Sequence, residues 1–288
     1  MIIDGKKFAQ KLKSKIKREI QSLRKKKRLT PGLAVILIGN HAPSEIYVRN
    51  KQISAKEVGI NSKVLRFKSS ITEKRLISVI RKLNKDKKIH GILVQLPLPN
   101  HISGQKIIEE IDAKKDVDGL HPINVGNLSS GKESLVSCTP LGCYLMIKSV
   151  KKNLTGLNAL IIGRSNLNGK PMAQLLLKED CTVTIGHSKT KNLKALCKKA
   201  DIVVAAVGRA NLVKGDWIKK GAIVIDVGIN RVEKKKGYKI VGDVEFKSVV
   251  KKVRAITPVP GGVGPVTIAC LLSNTLKAFK SINLLLSK

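Results

Sequence analysis

The sequence predicts an α/β protein with two domains, each built on a parallel sheet. Short apolar runs alternate with longer amphipathic segments over most of the 288 residues, a pattern typical of parallel strands covered by helices. A loop-rich stretch at 112–139 interrupts this alternation, which then resumes. We therefore predict one domain from 1–139 together with 272–288, and a second domain from 140–271.

The chain opens with a predicted amphipathic helix. The segment from Lys6 to Arg28 holds twelve basic residues, and apolar residues recur within it every three or four positions, which indicates one buried stripe. These apolar residues are Phe8, Leu12, Ile16, Ile20 and Leu23. A transit peptide is the alternative, but such peptides favour Arg and Ser over a lysine-rich pattern. We interpret the segment as a structural helix with a solvated cationic face.

The remainder of the first domain alternates between strand and helix patterns. Strands are predicted at 33–38, 62–67 and 91–96, and helices at 44–57 and 72–83. The run at 33–38 is continuously apolar between Gly- and Pro-containing turns, so that strand should be buried. Thr72 is a suitable N-cap for the second of the two helices.

The second domain repeats the alternation. Strands are predicted at 158–162, 182–185, 202–206 and 222–227, and helices at 140–151, 171–178, 193–199 and 266–282. A Gly- and Pro-rich loop at 257–265 precedes the last helix, which we expect to return to the first domain.

The charge of the chain is strongly positive. Lys and Arg number 56 against 20 Asp and Glu, a formal charge of +36. Such a field favours anionic partners, including nucleic acid and phosphates. Aromatic residues make up only 3% of the chain, which leaves few platforms for stacking bases. We therefore expect no specific nucleic-acid binding, and a nucleic-acid-binding protein is kept as the alternative from another class.

Hydropathy and cysteine usage indicate a soluble cytoplasmic protein. The 42% hydrophobic content allows a sizeable core, while no apolar run approaches the roughly 20 residues that span a membrane. The start of the chain lacks the apolar stretch of a secretory signal. The five cysteines are scattered without a CxxC pair, which favours buried thiols in a reducing compartment over a metal site. They are Cys138, Cys143, Cys181, Cys197 and Cys270.

A glycine-containing loop, from Gly163 through Arg164 and Ser165 to Gly169, lies between a predicted strand and a predicted helix. A dinucleotide-binding fold places its phosphates at such a helix N-terminus, where glycines let backbone N–H groups come close. The spacing is neither GxGxxG nor that of a Walker loop, because Pro171 stands in place of the Ser or Thr that would hold magnesium. The loop alone is therefore a weak indication of a Rossmann-like domain.

The end of the next strand sharpens this interpretation. An NAD-binding fold usually ends its second strand with an acidic residue that binds the ribose hydroxyls. Here the strand is followed by Gly186, His187, Ser188 and Lys189. With Arg164 close behind the first strand, the sequence predicts NADP as the cofactor. For His187 and Lys189 taken individually, a solvated loop residue is an equally good interpretation.

Tyr47 and Lys51 stand four positions apart on a predicted helix and so share one face. The pattern Tyr-x-x-x-Lys also occurs in short-chain dehydrogenases, but there it follows the glycine loop, whereas here it precedes it. From these two residues alone, a surface lysine beside a half-buried tyrosine is the simpler interpretation.

Six motifs, taken together, resemble one family. They are PSEIYVRNK at 43–51, GILVQLPLP at 91–99, KDVDG at 115–119, GRS at 163–165, GAIVIDVGIN at 221–230 and TPVPGGVGP at 257–265. In this order, and over nearly the whole chain, they are similar to the bifunctional methylenetetrahydrofolate dehydrogenase/methenyltetrahydrofolate cyclohydrolase family. The resemblance implies a folate-binding catalytic domain followed by a Rossmann-like NADP-binding domain.

The resemblance also implies roles for individual residues. Lys51 would activate water and handle protons, with Gln95 bonded to it. Tyr47 would pack against the folate ring and favour the uncharged amine of Lys51, and Asp118 would bind the donor edge of the pterin. The remaining implied contacts are Pro260, Gly261 and Gly262 toward the folate, and Gly163, Arg164, Ser165 and Ile229 toward the dinucleotide. The glycine loop and the end of the second strand add Gly169, His187 and Ser188 to the predicted dinucleotide contacts.

The implied activity is oxidation of 5,10-methylenetetrahydrofolate followed by hydrolysis to 10-formyltetrahydrofolate, in one-carbon metabolism that feeds purine biosynthesis, by a homodimer. The folate's glutamate tail, often polymeric, would suit the basic surface, although a lysine-rich coding bias explains most of the charge more simply. One departure is visible: Asn168 stands where the family usually has an apolar branched residue, which questions the cofactor geometry. A related two-domain dehydrogenase with another small substrate is the alternative among enzymes.

Overall fold

The structure is a computed structural model that describes residues 1–233 and 237–285. Its contacts divide the chain into two compact units. The three-stranded unit contains Lys11–Cys138 and the chain from Ile268 onward, and the five-stranded unit contains Met1–Gln10 and Thr139–Thr267. The predicted α/β class with parallel sheets is confirmed.

The three-stranded unit is built around a parallel sheet in the order β2-β1-β3. The strands are β1 (Gly32–Ile38), β2 (Asn61–Phe67) and β3 (Gly91–Val94). Every residue of β1 and β3 is buried, as continuous apolar runs in a parallel sheet require.

The five-stranded unit holds a parallel sheet in the order β10-β7-β6-β4-β5. Its strands are β4 (Asn158–Ile162), β5 (Thr182–Gly186), β6 (Ile202–Ala205), β7 (Ile223–Asp226) and β10 (Ala255–Ile256). A two-stranded antiparallel hairpin, β8 (Asn230–Glu233) with β9 (Tyr238–Val241), follows β7. The chain moves from β4 outward to β5 and then back to β6, so the strand order reverses between β4 and β6. In doubly wound folds a ligand crevice opens at this reversal, beyond the carboxyl ends of the strands.

The helices that the structure describes follow the predicted segments with shifts of up to three residues at their ends, except for three short helices that were not predicted. They are α1 (Gly5–Lys27), α2 (Ala42–Val58), α3 (Glu73–Lys85), α4 (Gly104–Glu109), α5 (Pro122–Ser129), α6 (Cys138–Val150), α7 (Gly169–Leu177), α8 (Leu193–Lys199), α9 (Phe246–Val249) and α10 (Val263–Leu285). Thr72 caps α3 as predicted, since its Oγ1 accepts a hydrogen bond from the Arg75 N–H. In α1, Ile16 and Ile20 are buried, while Lys6, Lys7, Lys11, Lys15 and Lys17 are exposed.

Some predicted boundaries were wrong. The stretch 112–139 is less irregular than expected, because α5 begins there at Pro122, with the His121 ring accepting from the Ile123 N–H as its cap. The strand predicted at 91–96 ends at Val94, and the last helix begins at Val263 rather than 266. The short elements α4, α9, β8, β9 and β10 were not predicted, since they are too short to show a clear hydrophobic period.

The first ten residues belong to the five-stranded unit. The Met1 amino group donates to the Arg254 carbonyl at 2.8 Å, and the Ile3 N–H donates to the Ile256 carbonyl at 2.8 Å. The predicted boundaries, 1–139 with 272–288 and 140–271, differ from this division at the start of the chain, because an extended segment continues the edge of the larger sheet there. The functional assignment of the two domains stays a prediction.

All five cysteines lie in the described part of the chain and are buried thiols. Within residues 1–233 and 237–285, none of the helices is both long enough and apolar enough to cross a membrane. The same residues contain no group of three or more His, Cys, Asp or Glu arranged to hold a metal ion.

Candidate active site

Helix α2 presents Tyr47 and Lys51 on one face. The helix buries Val48, Ala55 and Val58 and ends at Gly59, which adopts a left-handed conformation with φ 89°. Tyr47 is 40% exposed and Lys51 is half-buried. Lys51 stands four residues before Ala55 and seven before Val58, so it shares the face that packs inward, and Tyr47 lies at the exposed border of that face.

The end of β3 supplies the partner of Lys51. Lys51 Nζ donates to Gln95 Oε1 at 2.9 Å, and Gln95 Nε2 donates to the Leu96 carbonyl at 2.8 Å. The second bond orients the amide so that its oxygen faces the lysine. The Gln95 N–H also donates to the Ile36 carbonyl at 2.9 Å, which anchors this residue to β1 beyond the last residue of β3.

The segment that carries Asp118 is attached to the same sheet. The Ile92 N–H donates to the Lys115 carbonyl at 2.7 Å. Lys115 is buried, and its Nζ donates to the carbonyls of Asn84 and Asp86, at 2.7 and 2.9 Å, at the C-terminal end of α3. Burial lowers the pKa of Lys115, while the helix-end carbonyls offer its ammonium favourable partners.

A buried carboxylate shapes the turn around Asp118. Asp116 is 1% exposed and accepts hydrogen bonds from Gly119 N–H, His121 N–H and Asn124 Nδ2 at 3.2, 2.8 and 3.0 Å. Burial raises the pKa of the Asp116 carboxyl, and these bonds oppose the rise. Gly119 has φ +71° and no room for a Cβ, so only glycine fits this turn. The half-buried Asp118 is thereby held in place.

Cys138 marks where these side chains come together. Its thiol donates to the Val117 carbonyl at 3.3 Å and also contacts Asp118. Burial raises the pKa of the Cys138 thiol well above its usual value; the charge of Asp118 raises it further and that of Lys51 lowers it. Lys51, Gln95, Asp118 and Cys138 therefore form one cluster in the three-stranded unit. The sequence interpretation treated Cys138 only as a buried thiol and gave no signal of its place in this cluster.

The loop before α10 carries Pro260, Gly261 and Gly262 in the five-stranded unit. Pro260 is exposed, and Gly261 has φ +99°. A Cβ on Gly262 would lie 2.4 Å from the Pro258 carbonyl oxygen, so this glycine is required by close backbone packing. The implied folate contacts of these residues stay a prediction.

The loop after β4 lies at the reversal of strand order. Gly163 has φ +126°, and a Cβ there would lie 2.3 Å from the carbonyl oxygen of Ala206, which follows β6. A Cβ on Gly169 would lie 2.0 Å from the Gly163 carbonyl oxygen. The two glycines therefore let the loop fold tightly onto the start of α7, where backbone N–H groups suit a phosphate. This cradle fits a dinucleotide, with Arg164 and Ser165 exposed beside it.

Asn168 precedes α7 without capping it. Its side chain makes no cap hydrogen bond, and its backbone N–H donates to Ser165 Oγ at 3.1 Å. The polar side chain at this usually apolar position therefore leaves the start of α7 without a side-chain cap.

The end of β5 forms a compact turn without an acidic residue. Thr190 Oγ1 accepts from the His187 N–H at 2.9 Å, and His187 Nδ1 accepts from the Lys189 N–H at 3.2 Å. Because Nδ1 is an acceptor here, the neutral ring carries its proton on Nε2, which is then a donor. Ser188 and Lys189 are exposed. A turn with such donors suits a phosphate better than a pair of ribose hydroxyls.

Ile229 lies beyond the carboxyl end of β7 and is 57% exposed. It thus stands at the same edge of the sheet as Gly163 and His187. The predicted site residues form two groups. Lys51, Gln95 and Asp118 lie in the three-stranded unit, and the predicted dinucleotide contacts lie along one edge of the five-stranded sheet.

The strand order and the glycine cradle define the five-stranded unit as a dinucleotide-binding domain. The comparisons with known proteins agree. The family model described as tetrahydrofolate dehydrogenase/cyclohydrolase, NAD(P)-binding domain, matches residues 137–283, and the model for the catalytic domain of the same family matches residues 3–118. The chain belongs to the tetrahydrofolate dehydrogenase/cyclohydrolase family, which confirms the predicted resemblance.

Similar proteins cover nearly the whole chain. A bifunctional protein FolD from Pelagibacter ubique is 63% identical over 97% of this chain and 98% of its own length. The crystal structure of the bifunctional enzyme FolD from Campylobacter jejuni matches with a TM-score of 0.94 and 48% identity, covering 98% of this chain and 99% of that one. The Trypanosoma brucei enzyme, solved with NADP and an inhibitor, matches with a TM-score of 0.94 and 37% identity, covering 98% of both chains.

Proposed function

We propose that this chain oxidises 5,10-methylenetetrahydrofolate with NADP and hydrolyses the 5,10-methenyl product to 10-formyltetrahydrofolate. The observation that carries the proposal is the Lys51–Gln95 pair, with Lys51 and Asp118 both near Cys138, in a member of this family. NADP, when bound, would supply the hydride acceptor. The residues of the chain supply binding and proton handling.

Oxidation depends on position rather than on acid–base catalysis. The hydride leaves the methylene carbon directly, so no side chain has to accept a proton in that step. Asp118 is suited to pair with adjacent donors of the pterin ring, since a carboxylate accepts two parallel hydrogen bonds. The glycine cradle at Gly163 and the donors around His187 would hold the dinucleotide.

Hydrolysis requires proton transfer. Water adds to the cationic methenyl carbon and loses a proton, and the departing ring nitrogen then gains one. Lys51 is the base and then the acid in this proposal. Gln95 holds its Nζ at 2.9 Å and fixes the direction of the amine. General acid–base help of this kind is worth about 100- to 10,000-fold.

The remaining features of the proposal concern setting and assembly. A cytoplasmic homodimer that acts on polyglutamylated folates, and supplies formyl groups for purine biosynthesis, is what the family resemblance implies. Strand β2 lies at the edge of its sheet, and an edge strand can pair with a second copy. Analytical ultracentrifugation would test the dimer, and a sedimentation coefficient of a monomer at micromolar concentration would contradict it.

An absorbance assay tests the enzyme activity directly. The purified chain is mixed with methylenetetrahydrofolate and NADP, and the formation of NADPH and of the methenyl compound is followed. A second reaction starts from methenyltetrahydrofolate and follows its loss. Turnover in both reactions is expected. A chain that binds folate but reduces no cofactor would contradict the proposal and favour another small substrate.

A further inference from the structure

Two buried carboxylates lie side by side at the carboxyl edge of the five-stranded sheet. Asp226 ends β7 and is 3% exposed, and Asp243 follows β9 and is 0% exposed. The Asp243 N–H donates to Asp226 Oδ1 at 2.8 Å.

Asp243 is hydrogen-bonded both to the loop that follows β6 and to the start of β8. Its carboxylate accepts from the N–H groups of Val207, Gly208 and Arg209 at 2.6, 3.0 and 2.8 Å. It also accepts from Asn230 Nδ2 at 2.9 Å. One side chain therefore fixes three consecutive N–H groups directly beyond β6 and a residue directly beyond Ile229.

Asp226 fixes the loop that follows its own strand. Its carboxylate accepts from the N–H groups of Gly228 and Val244 at 3.0 and 2.9 Å. Its backbone N–H donates to the buried Thr257 Oγ1 at 2.8 Å. The residue thus connects the Ile229 loop, the return from the β8–β9 hairpin and the start of the loop that carries Gly261.

Two glycines make room for the carboxylates in a reciprocal way. A Cβ on Gly228 would lie 2.3 Å from Asp243 Oδ1, and a Cβ on Gly242 would lie 1.8 Å from Asp226 Oδ2. Gly228, two residues after Asp226, packs against the Asp243 carboxylate, and Gly242, next to Asp243 in sequence, packs against the Asp226 carboxylate. The arrangement requires two aspartates and two glycines at once, so we interpret it as a specific feature of this fold.

Stability alone is a poor reason for this arrangement. Burial raises the pKa of the Asp226 carboxyl to about 6, and the neighbouring Asp243 charge raises it as well. Burying two like-charged groups is costly unless hydrogen bonds to them compensate. What the pair does provide is a set of short bonds to backbone N–H groups of surrounding loops.

The position of those loops indicates their use. In a doubly wound sheet, one half binds the adenosine side of the dinucleotide and the other half binds the nicotinamide side. The glycine cradle after β4 and the His187 turn after β5 belong to the first half. The loops after β6 and β7 belong to the second.

We propose that Asp226 and Asp243 are positioning residues that hold the loops at 206–209 and 227–230 against the nicotinamide end of the cofactor. The inference rests on the proposed function, because it assigns a role within the oxidation step. The carboxylates touch neither cofactor nor folate; they act through the backbone that they bind. Misplacement of a reacting group by about 1 Å can cost about 100-fold in rate.

The test compares Asp243→Asn with a matched variant, Asp201→Asn. Asp201 lies at the opposite edge of the same sheet, before β6, where it accepts from Asn158 N–H and pairs with Lys219. For Asp243→Asn, kcat for oxidation should fall about 10- to 100-fold, while binding of 2′,5′-ADP, a probe of the adenosine half, stays unchanged. Hydrolysis of methenyltetrahydrofolate should also stay unchanged. Asp201→Asn should alter none of the three.

Two outcomes would overturn the inference. One is an unchanged kcat for oxidation in Asp243→Asn. The other is an equal fall in oxidation, hydrolysis and 2′,5′-ADP binding, which would make the pair purely structural. If Asp243→Asn does not fold, Asn230→Ala removes one donor at a half-buried position and should still lower oxidation selectively. A wild-type chain without oxidation activity would instead refute the proposed function.

Discussion

At the scale of single residues, the geometry around Lys51 separates the two proposed reactions. Its amine is bonded to Gln95, and the charges of Lys51 and Asp118 both act on Cys138. Hydride transfer needs no base, whereas hydrolysis moves protons twice. A change confined to the amine should therefore affect one reaction far more than the other.

Lys51→Met keeps much of the apolar stem and deletes the amine. Hydrolysis should fall about 100- to 10,000-fold, the usual range for losing an acid–base group. Oxidation should fall much less, through misplacement of the folate alone. The methenyl compound should then accumulate in the dehydrogenase assay. Lys56→Met, at an exposed position in the last turn of α2, is the control and should change neither rate.

If Lys51→Met lowers both rates equally while folate still binds, Lys51 is a positioning residue and the proposed mechanism is wrong.

The buried His90 should make the stability of the three-stranded unit sensitive to acid. Its Nδ1 accepts from the Gly32 N–H at 3.0 Å, and burial, aided by the charge of Lys115, lowers its pKa from 6.5 to about 4. Between those values the unfolded state binds more protons than the folded state. The stability contribution is therefore present above the unfolded pKa and is lost as pH falls toward 4.

The free energy of unfolding, measured by urea denaturation between about pH 4.5 and 7, should fall more steeply toward acid in the wild type than in His90→Gln. The difference has an upper bound of about 3 kcal/mol, since one pKa unit corresponds to about 1.4 kcal/mol. Asp226 acts in the opposite sense, because its pKa is raised to about 6, so only the comparison isolates His90. Parallel curves would contradict the prediction.

At the scale of secondary-structure elements, we expect the β4–α7 and β5–α8 connections to control the choice of cofactor. The first provides a glycine cradle at a helix N-terminus, and the second ends in donors rather than a carboxylate. A 2′-phosphate therefore meets favourable groups, and no acid is placed there to bind the ribose hydroxyls of NAD.

Catalytic efficiency should accordingly be higher with NADP than with NAD. Arg164→Ala should weaken NADP binding about 10- to 100-fold, the range expected on loss of a charge-assisted bond to phosphate, and should leave NAD binding nearly unchanged. Titration with both cofactors provides its own control. Equal or better use of NAD by the wild type would refute the preference, and an equal loss for both cofactors would place Arg164 away from the extra phosphate.

At the scale of the whole molecule, the charge of +36 is the dominant property. Exposed lysines are spread along α1, at positions 6, 7, 11, 15, 17 and 25. A field of this kind attracts polyanions without reading their sequence.

Binding to duplex DNA should therefore be weak, indifferent to sequence and steeply dependent on salt. Fluorescence anisotropy with two unrelated duplexes, between about 50 and 200 mM salt, should give nearly equal affinities that fall together. A complex that prefers one sequence and survives the higher salt would reinstate the nucleic-acid alternative.

The sequence by itself determined the alternating architecture, because hydrophobic period and turn residues are local properties. The strand at 158–162 and the helix at 193–199 match the structure residue for residue. The phosphate loop and the acid-free end of β5 could be located for the same reason, and motif order identified the family. The elements that were missed, such as α4 and β10, are too short for a period to show.

Only the tertiary structure decided which distant residues meet. Lys51 and Gln95 are 44 positions apart, and Val207 and Asp243 are 36 apart, so nothing in the local pattern connects them. Nothing in the local pattern indicates that Asp116, Asp226 and Asp243 bind backbone N–H groups, yet all three are buried and do so. Their roles depend on which strands become neighbours in the sheet, and that follows from packing of the whole chain rather than from any one segment.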